Sequence, residues 1–298
     1  MKQSSTMPAS QQEQVNTYFQ VQASYWKDIY TTGGNLSAHI YQQRQEAALA
    51  WIDTLKLSPG AQVLEVGCGA GFLSIQLAQR GFHVHAIDSA EAMLDQARQH
   101  AEAAGVTLSL SGGDVCSLEF DSATFDLVVA LGVIPWLEHP ERAVREMLRV
   151  TKPGGHLIIS ADNRARLNAL LDPTLNPLLV PLKKGVKRVL DRVGLRRLSS
   201  RDIGAALHSR RFINQIIRDA GLTPVSHKTL GFGPFTFFRL KLVPDSLGTR
   251  LHFGLQSLAD REMFIFRSTG VHYLVLTEKP ARLPSALEGV PGSDAVTA

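Results

Sequence analysis

The sequence predicts an α/β fold: a doubly wound, mainly parallel seven-stranded sheet with an N-terminal helical cap and two insertions. Three observations lead there. Short apolar runs alternate with helical stretches from Ala61 to Ser160, the connections between them are short, and three glycines at alternate positions (Gly67, Gly69, Gly71) follow the first run. Strands that alternate with helices in this way form a parallel sheet covered on both faces.

Residues 1–14 are rich in Gln and Ser and are expected to be mobile. Residues 15–57 read as a helical, aromatic-rich cap with Tyr18, Phe19, Tyr25, Trp26 and Tyr30, ending in a helix over about Tyr41–Leu55. The main domain, 58–280, follows. Ala61–Val66 is a short apolar strand, Phe72–Arg80 a helix and Val84–Ile87 a strand. Ala90–Ala104 is an Ala-rich helix that Ser89 is placed to cap. Val106–Leu110 and Phe125–Ala130 read as strands. Pro140 suits the first turn of the helix Glu141–Val150, and Lys152-Pro153-Gly154-Gly155 turns the chain into the strand His156–Ser160. The alternation then breaks for a first insertion, 164–201. A helix (about Arg211–Ala220) and two strands (Thr223–Leu230, Val271–Thr277) resume it, with a second insertion, 235–269, between the strands. Residues 281–298 read as a loose tail.

Composition narrows the class. Of 298 residues, 44% are hydrophobic and 19% charged, which excludes collagen-like, disordered and coiled-coil chains. Two cysteines, Cys68 and Cys116, exclude a disulfide scaffold and a Cys-rich metal centre, so no metal is expected. No apolar run reaches the length of a membrane span, and the polar N-terminus has no signal-peptide core. These features predict a soluble cytoplasmic protein. Its net charge of +4 is uneven: Arg164–Arg211 holds twelve basic residues against three aspartates, so the rest of the chain is acidic.

The chemistry is concentrated in Val63-Leu64-Glu65-Val66-Gly67-Cys68-Gly69-Ala70-Gly71-Phe72. Glycine is needed where a backbone bends sharply or a ligand must approach without meeting a Cβ. In an open α/β sheet this bend lies at the carboxyl end of the first strand, where nucleotide-like ligands bind. Asp88 ends the second strand, where a carboxylate suits ribose hydroxyls; Gly113-Asp114 follows the third, where it suits an adenine amino group. Dinucleotide sites use G-x-G-x-x-G and receive a pyrophosphate on a helix N-terminus. Here the spacing is G-x-G-x-G, and Glu65 precedes the first glycine by two residues. A carboxylate there would repel a diphosphate but suits a ligand with an ammonium and a sulfonium, which favours S-adenosylmethionine over NAD(P).

On these residues the chain resembles the class I S-adenosylmethionine-dependent methyltransferases, a Rossmann-like family. The resemblance spans about Gln62–Ser160: E-V-G-C-G-A-G, Asp88, Gly113-Asp114, F-D-L-V-V-A and K-P-G-G. It implies that Gly67, Gly69 and Gly71 line the methionine part of the cofactor. Asp88 and Ser89 would serve the ribose, Asp114 and Val115 the adenine, and Leu131 the methyl group, with Glu65, Cys68 and Met93 also among the cofactor-binding residues. The N-terminal aromatic pattern is similar to the cap of the magnesium-protoporphyrin and quinone-biosynthesis methyltransferases. It makes Tyr18, Trp26 and Tyr30 either a lid over the cofactor or simply core.

The quinone-type relatives carry an acid–histidine pair after the fourth strand, and here Pro135-Trp136 stands in its place. His139 is the nearest candidate base, or else a surface histidine opening a helix; spacing does not rank His39, His208, His227 and His272. Trp136 is expected to wall an acceptor pocket or else to pack in the core, and Phe235 is expected to bind the substrate. Two enlarged apolar covers predict a small hydrophobic or amphipathic acceptor (isoprenoid, quinone, lipid or polyketide-like), methylated on oxygen. C- or N-methylation and NAD(P)-dependent oxidoreduction are the alternatives. The basic stretch 183–198 reads either as a peripheral membrane-surface contact or as a lid helix with a solvated charged face. Its basic residues interleave with Leu and Val rather than stacking aromatics, so no nucleic-acid partner is expected.

Overall fold

The computed structural model describes residues 11–31, 35–176, 179, 204–238 and 240–281. Two helices come first, α1 (Gln11–Thr31) and α2 (Leu36–Thr54). The alternating core follows: β1 (Gln62–Val66), α3 (Phe72–Gln79), β2 (His83–Asp88), α4 (Glu91–Ala103), β3 (Ser109–Gly112), β4 (Phe125–Ala130), α5 (Pro140–Val150) and β5 (Thr151–Asp162). Then come α6 (Leu167–Leu171), α7 (Arg210–Asp219), β6 (Thr223–Leu230), the two-residue strands β7 (Thr236–Phe237) and β8 (Leu240–Lys241), α8 (Asp245–Asp260), α9 (Phe266–Thr269) and β9 (His272–Glu278).

Seven strands form one sheet in the order β3-β2-β1-β4-β5-β9-β6. The first five run parallel, and β9 is antiparallel to both β5 and β6. The predicted sheet is therefore present, with one reversed strand. Strands β1 and β4 are apolar and almost wholly buried because helices cover both faces. One face packs Met147, Leu148, Ile213 and Ile217 against Val128 and Leu157; the other packs Leu49, Ile52, Leu73 and Leu77 against Val63 and Leu127.

Several expected boundaries move, each for a local reason. Helix α2 begins at Leu36 rather than near Tyr41 because the Asn35 side chain accepts from Ala38 N at 2.8 Å. Ser89 does not cap α4. The cap position is Ala90, whose N–H donates instead to Asp88 Oδ1 at 2.9 Å. The strand expected at Val106–Leu110 is displaced to Ser109–Gly112, since Gly105 adopts a positive φ and Val106 N closes α4 by donating to Ala101 O. Strand β5 continues two residues past Ser160, paired with β9 through Ala161↔Tyr273 and Asp162↔His272.

The cap and the second insertion lie against the ligand-bearing ends of the strands. In α1, Phe19, Ala23 and Trp26 pack on Ala90 and Met93. The second insertion holds the β7–β8 hairpin, α8 and α9, fastened by Phe232 N donating to His252 Nδ1 and Gly231 N to Gln256 Oε1, both at 3.0 Å. Residues 1–10, the basic stretch 183–198 with most of the first insertion, and the tail from 282 lie outside the described residues. No helix among the described residues is long and apolar enough to cross a membrane.

Candidate functional site

The bend after β1 is held by main-chain bonds. Gly67 N and Cys68 N both donate to Ile87 O, at 2.8 and 3.0 Å, which locks the end of β1 to the end of β2. Each of the three glycines has positive φ, yet they do different things. A Cβ on Gly67 would lie 2.5 Å from Val133, and one on Gly71 would lie 2.9 Å from the Ala97 Cβ of α4. These two permit close packing. Gly69 instead has nothing among the described residues within 4 Å of where a Cβ would sit, so its face is open to a ligand.

Asp88 answers that bend from the end of β2. Its Oδ2 accepts from Gly69 N at 2.9 Å and its Oδ1 from Ala90 N at 2.9 Å. Burial raises its carboxyl above the ordinary value, and the amides of Ala90, Gly69 and Ser89 oppose that rise. Glu65 is fully enclosed beneath the bend and accepts a short hydrogen bond from the Ser74 hydroxyl. Burial pushes its carboxyl up to about 8; nearby Asp88 adds to the rise, while Ser74 and Arg44 resist it. Burial likewise holds the Cys68 thiol well above its usual value.

A cavity of about 310 Å³ opens between these groups and the cap. It brings together Glu65, Gly67, Cys68, Gly69, Asp88, Ser89, Met93, Asp114, Val115, Leu131, Trp26 and Trp136. Gly71 is absent from its wall. Tyr18 stands behind Trp136, stacked at 5.3 Å between ring centroids, while Phe19, on the wall, meets the Trp136 edge at 4.9 Å. The Tyr30 side chain lies outside what the structure describes. Phe235 sits in the second insertion near Gly233, away from this cavity. His139 is exposed at the start of α5, 3.5 Å from Glu141, and does not face the cavity.

Four residues that no motif marked also line it: Tyr41, Arg44 and Gln45 from α2, and Asp162 from the end of β5. The Arg44 guanidinium lies 5.1 Å above the Tyr41 ring and is pressed against Gly132, where a Cβ would come within 2.8 Å of Nη1. Asp162 accepts from His272 Nδ1 at 3.1 Å. The available signal was positional: Asp162, like Asp88, is an acid at the carboxyl end of a parallel strand, the ligand side of such a sheet. It was hidden because β5 was expected to stop at Ser160. Of the other histidines, His208 stacks on Phe212 at 5.2 Å, and His39 and His227 contact Phe253 and Tyr273.

Residues 64–159 match the family described as a methyltransferase domain. The chain is 38% identical over 117 residues to the ubiquinone biosynthesis O-methyltransferase of Hahella chejuensis, covering 39% of this chain and 49% of that one. With the Pseudomonas aeruginosa protein of the same name it is 36% identical over 115 residues, 38% and 50% of the two chains. The chain thus spans about half the length of the curated relatives it matches. Among solved structures, the SAM-bound magnesium protoporphyrin IX methyltransferase of Synechocystis PCC 6803 superposes with a TM-score of 0.61 at 18% identity, over 92% of this chain and 100% of that one. The cyclase SpnF superposes with a TM-score of 0.57 at 17% identity, over 93% and 98%. The fold is the Rossmann-like methyltransferase fold.

Proposed function

We propose that this chain is an S-adenosylmethionine-dependent methyltransferase acting on an oxygen of a small hydrophobic or amphipathic acceptor. One arrangement supports the reading above all: the open face of Gly69, the Asp88 carboxylate and the buried acid Glu65 converge on a single cavity. A fold shared with a cyclase does not select a reaction; the residues of the site do.

The residues present fit S-adenosylmethionine. Gly69 leaves room for close backbone approach, Asp88 would accept the ribose hydroxyls, and Asp114 with Val115 would flank the adenine. Glu65 would answer the ligand's positive charge, a role that a pyrophosphate-bearing cofactor would make unfavourable. When bound, the cofactor supplies a methyl group already made electrophilic by its sulfonium. The protein's share is then to orient an acceptor and exclude water. Trp26, Phe19 and Trp136 close the cap side of the cavity and suit that exclusion.

The hydrophobic acceptor is supported by the second insertion, which exposes Phe237, Phe238, Leu240, Leu242, Phe264 and Ile265. Exposed apolar side chains of this number mark contact with an apolar ligand, partner or membrane surface. The same reading includes a peripheral membrane contact through 183–198, checked by vesicle sedimentation with and without that stretch.

Calorimetric titration with S-adenosylmethionine and with NAD(P) tests the core of the reading. Binding of the first is expected; binding of NAD(P) alone overturns it. Labelled cofactor and a cellular lipid extract, followed by mass spectrometry for species that gain one CH2, then identify the acceptor, and the 13C shift of the transferred methyl separates O- from C- or N-methylation.

A further inference from the structure

His272 opens β9 and faces Asp162 directly across the antiparallel ladder. The histidine is 2% exposed, and its Nε2 is buried without a hydrogen-bond partner among the described residues. Such an atom is costly unless something meets it in function. His272 is also among the residues that line a second cavity of about 290 Å³, with Arg166, Asn168 and Thr236. The Nε of Arg166 is likewise buried without a partner among the described residues. Tyr41 and Asp162 line both this cavity and the one at the glycine bend, so the two adjoin at the dyad.

Resting on the methyltransferase reading, we propose that the smaller cavity receives the hydroxyl end of the acceptor and that His272 is the base that deprotonates it. Asp162 acts as the positioning residue. An ionised carboxylate only accepts, so Asp162 fixes the proton on Nδ1 and leaves the Nε2 lone pair free. The groups facing the imidazole are Asp162 from β5, Arg44 and Tyr41 from α2, and Arg166 from the segment after β5. Burial lowers the imidazole's affinity for a proton, Asp162 opposes this, and the two arginines reinforce it, so the ring is neutral near pH 7. A neutral imidazole matches an acidic hydroxyl, a phenol or enol, better than an aliphatic alcohol. As the acceptor oxygen bonds to the methyl carbon, Nε2 takes the hydroxyl proton. The pair of the breaking C–S bond stays on sulfur, which leaves as a neutral thioether, and solvent later removes the proton from the ring. Arg166 would steady the oxygen while it is negative.

The test uses the full chain saturated with S-adenosylhomocysteine and titrated with 4-hexylphenol, read by imidazole 15N resonances and by calorimetry. Free wild type is expected to show His272 bare at Nε2, with that signal moving as the phenol binds. In Asp162→Asn the ring proton is expected to move to Nε2, exchanging the two nitrogen signals. In His272→Asn, phenol affinity is expected to fall about tenfold, the worth of one hydrogen bond, with S-adenosylmethionine affinity within about twofold. A wild-type His272 signal that the phenol leaves unmoved, or one already protonated at Nε2, overturns the proposal and needs no variant to fold. Failure of the wild type to bind S-adenosylmethionine overturns the methyltransferase reading instead, and the phenol titration still reports on the dyad.

Discussion

Asp88 and Asp162 occupy equivalent places, each at the carboxyl end of a parallel strand and each enclosed, yet they are held in opposite ways. Asp88 is held by main-chain amides of the adjoining turns, and burial leaves its carboxyl raised. Burial alone would raise Asp162 too, but the His272 hydrogen bond and the charges of Arg44 and Arg166 hold it below the ordinary value. One aspartate thus waits for a partner that binding must bring. The other already has its partners from the chain. Substituting the two should therefore break different things.

The largest effect is expected at Asp88. Asp88→Ala removes an acceptor for two ribose hydroxyls, each hydrogen bond to a charged group being worth about 1.5–3 kcal/mol. Calorimetry should show S-adenosylmethionine affinity down roughly a hundredfold or more, with the circular dichroism of the folded protein retained. Unchanged affinity would show that Asp88 is not the ribose acceptor.

Glu65 sharpens the same side of the comparison. With a pKa of about 8 it is mostly protonated in the free protein at neutral pH. A bound cation favours the ionised form, so binding expels a proton. S-adenosylmethionine affinity should therefore rise with pH by up to about tenfold per unit until about pH 8 and then level off. Glu65→Gln should flatten that rise. The stability effect has the opposite sense: a carboxyl raised on folding contributes stability below its ordinary value and loses it as pH rises toward its folded one. Stability of the free protein should therefore be greatest in acid, decline as pH climbs from the ordinary carboxyl range to about 8, and level off above it. A melting temperature that rises over that window would contradict the assignment.

What the sequence disclosed follows the same division. The glycine bend, Asp88 and Asp114 form a local pattern whose partners lie within adjoining turns, so spacing alone located them. Asp162 and His272 are 110 residues apart and meet only because β9 inserts antiparallel between β5 and β6. Arg44 and Tyr41 come from a helix before the sheet begins, with no motif around them. Ser89 shows the converse. A serine just before a helix predicts a cap, but Asp88 sits one residue earlier with an oxygen free for the same task, and it makes the bond.

Asp162→Asn is expected to have a middling effect of another kind. It keeps the shape of the side chain while removing the charge that faces His272, Arg44 and Arg166. Urea denaturation near neutral pH should register a loss of about 1.5–3 kcal/mol, the usual worth of a hydrogen bond to a charged group. A carboxyl lowered on folding contributes stability above its ordinary value and loses it as pH falls through its folded one. The gap between variant and wild type should therefore close in acid. A gap that instead widened as pH fell would place Asp162 with Asp88.

The smallest effect is expected at His139, the candidate base that follows the fourth strand in sequence. It is 64% exposed at the side chain, its contact with Glu141 is long at 3.5 Å, and it makes no side-chain cap to α5, whose first turn is set by Pro140. Exposed ion pairs contribute about 0–1 kcal/mol, and a surface substitution away from caps and cores is usually worth less than about 0.5 kcal/mol. His139→Ala should then leave the melting temperature and the affinity for S-adenosylmethionine unchanged within error. It should also leave transfer of labelled methyl to the extract's acceptor at the wild-type rate at every pH. A lost limb in that pH profile would move the base from the buried dyad of β5 and β9 to the exposed start of α5, and His272 would then be a structural partner of Asp162 alone.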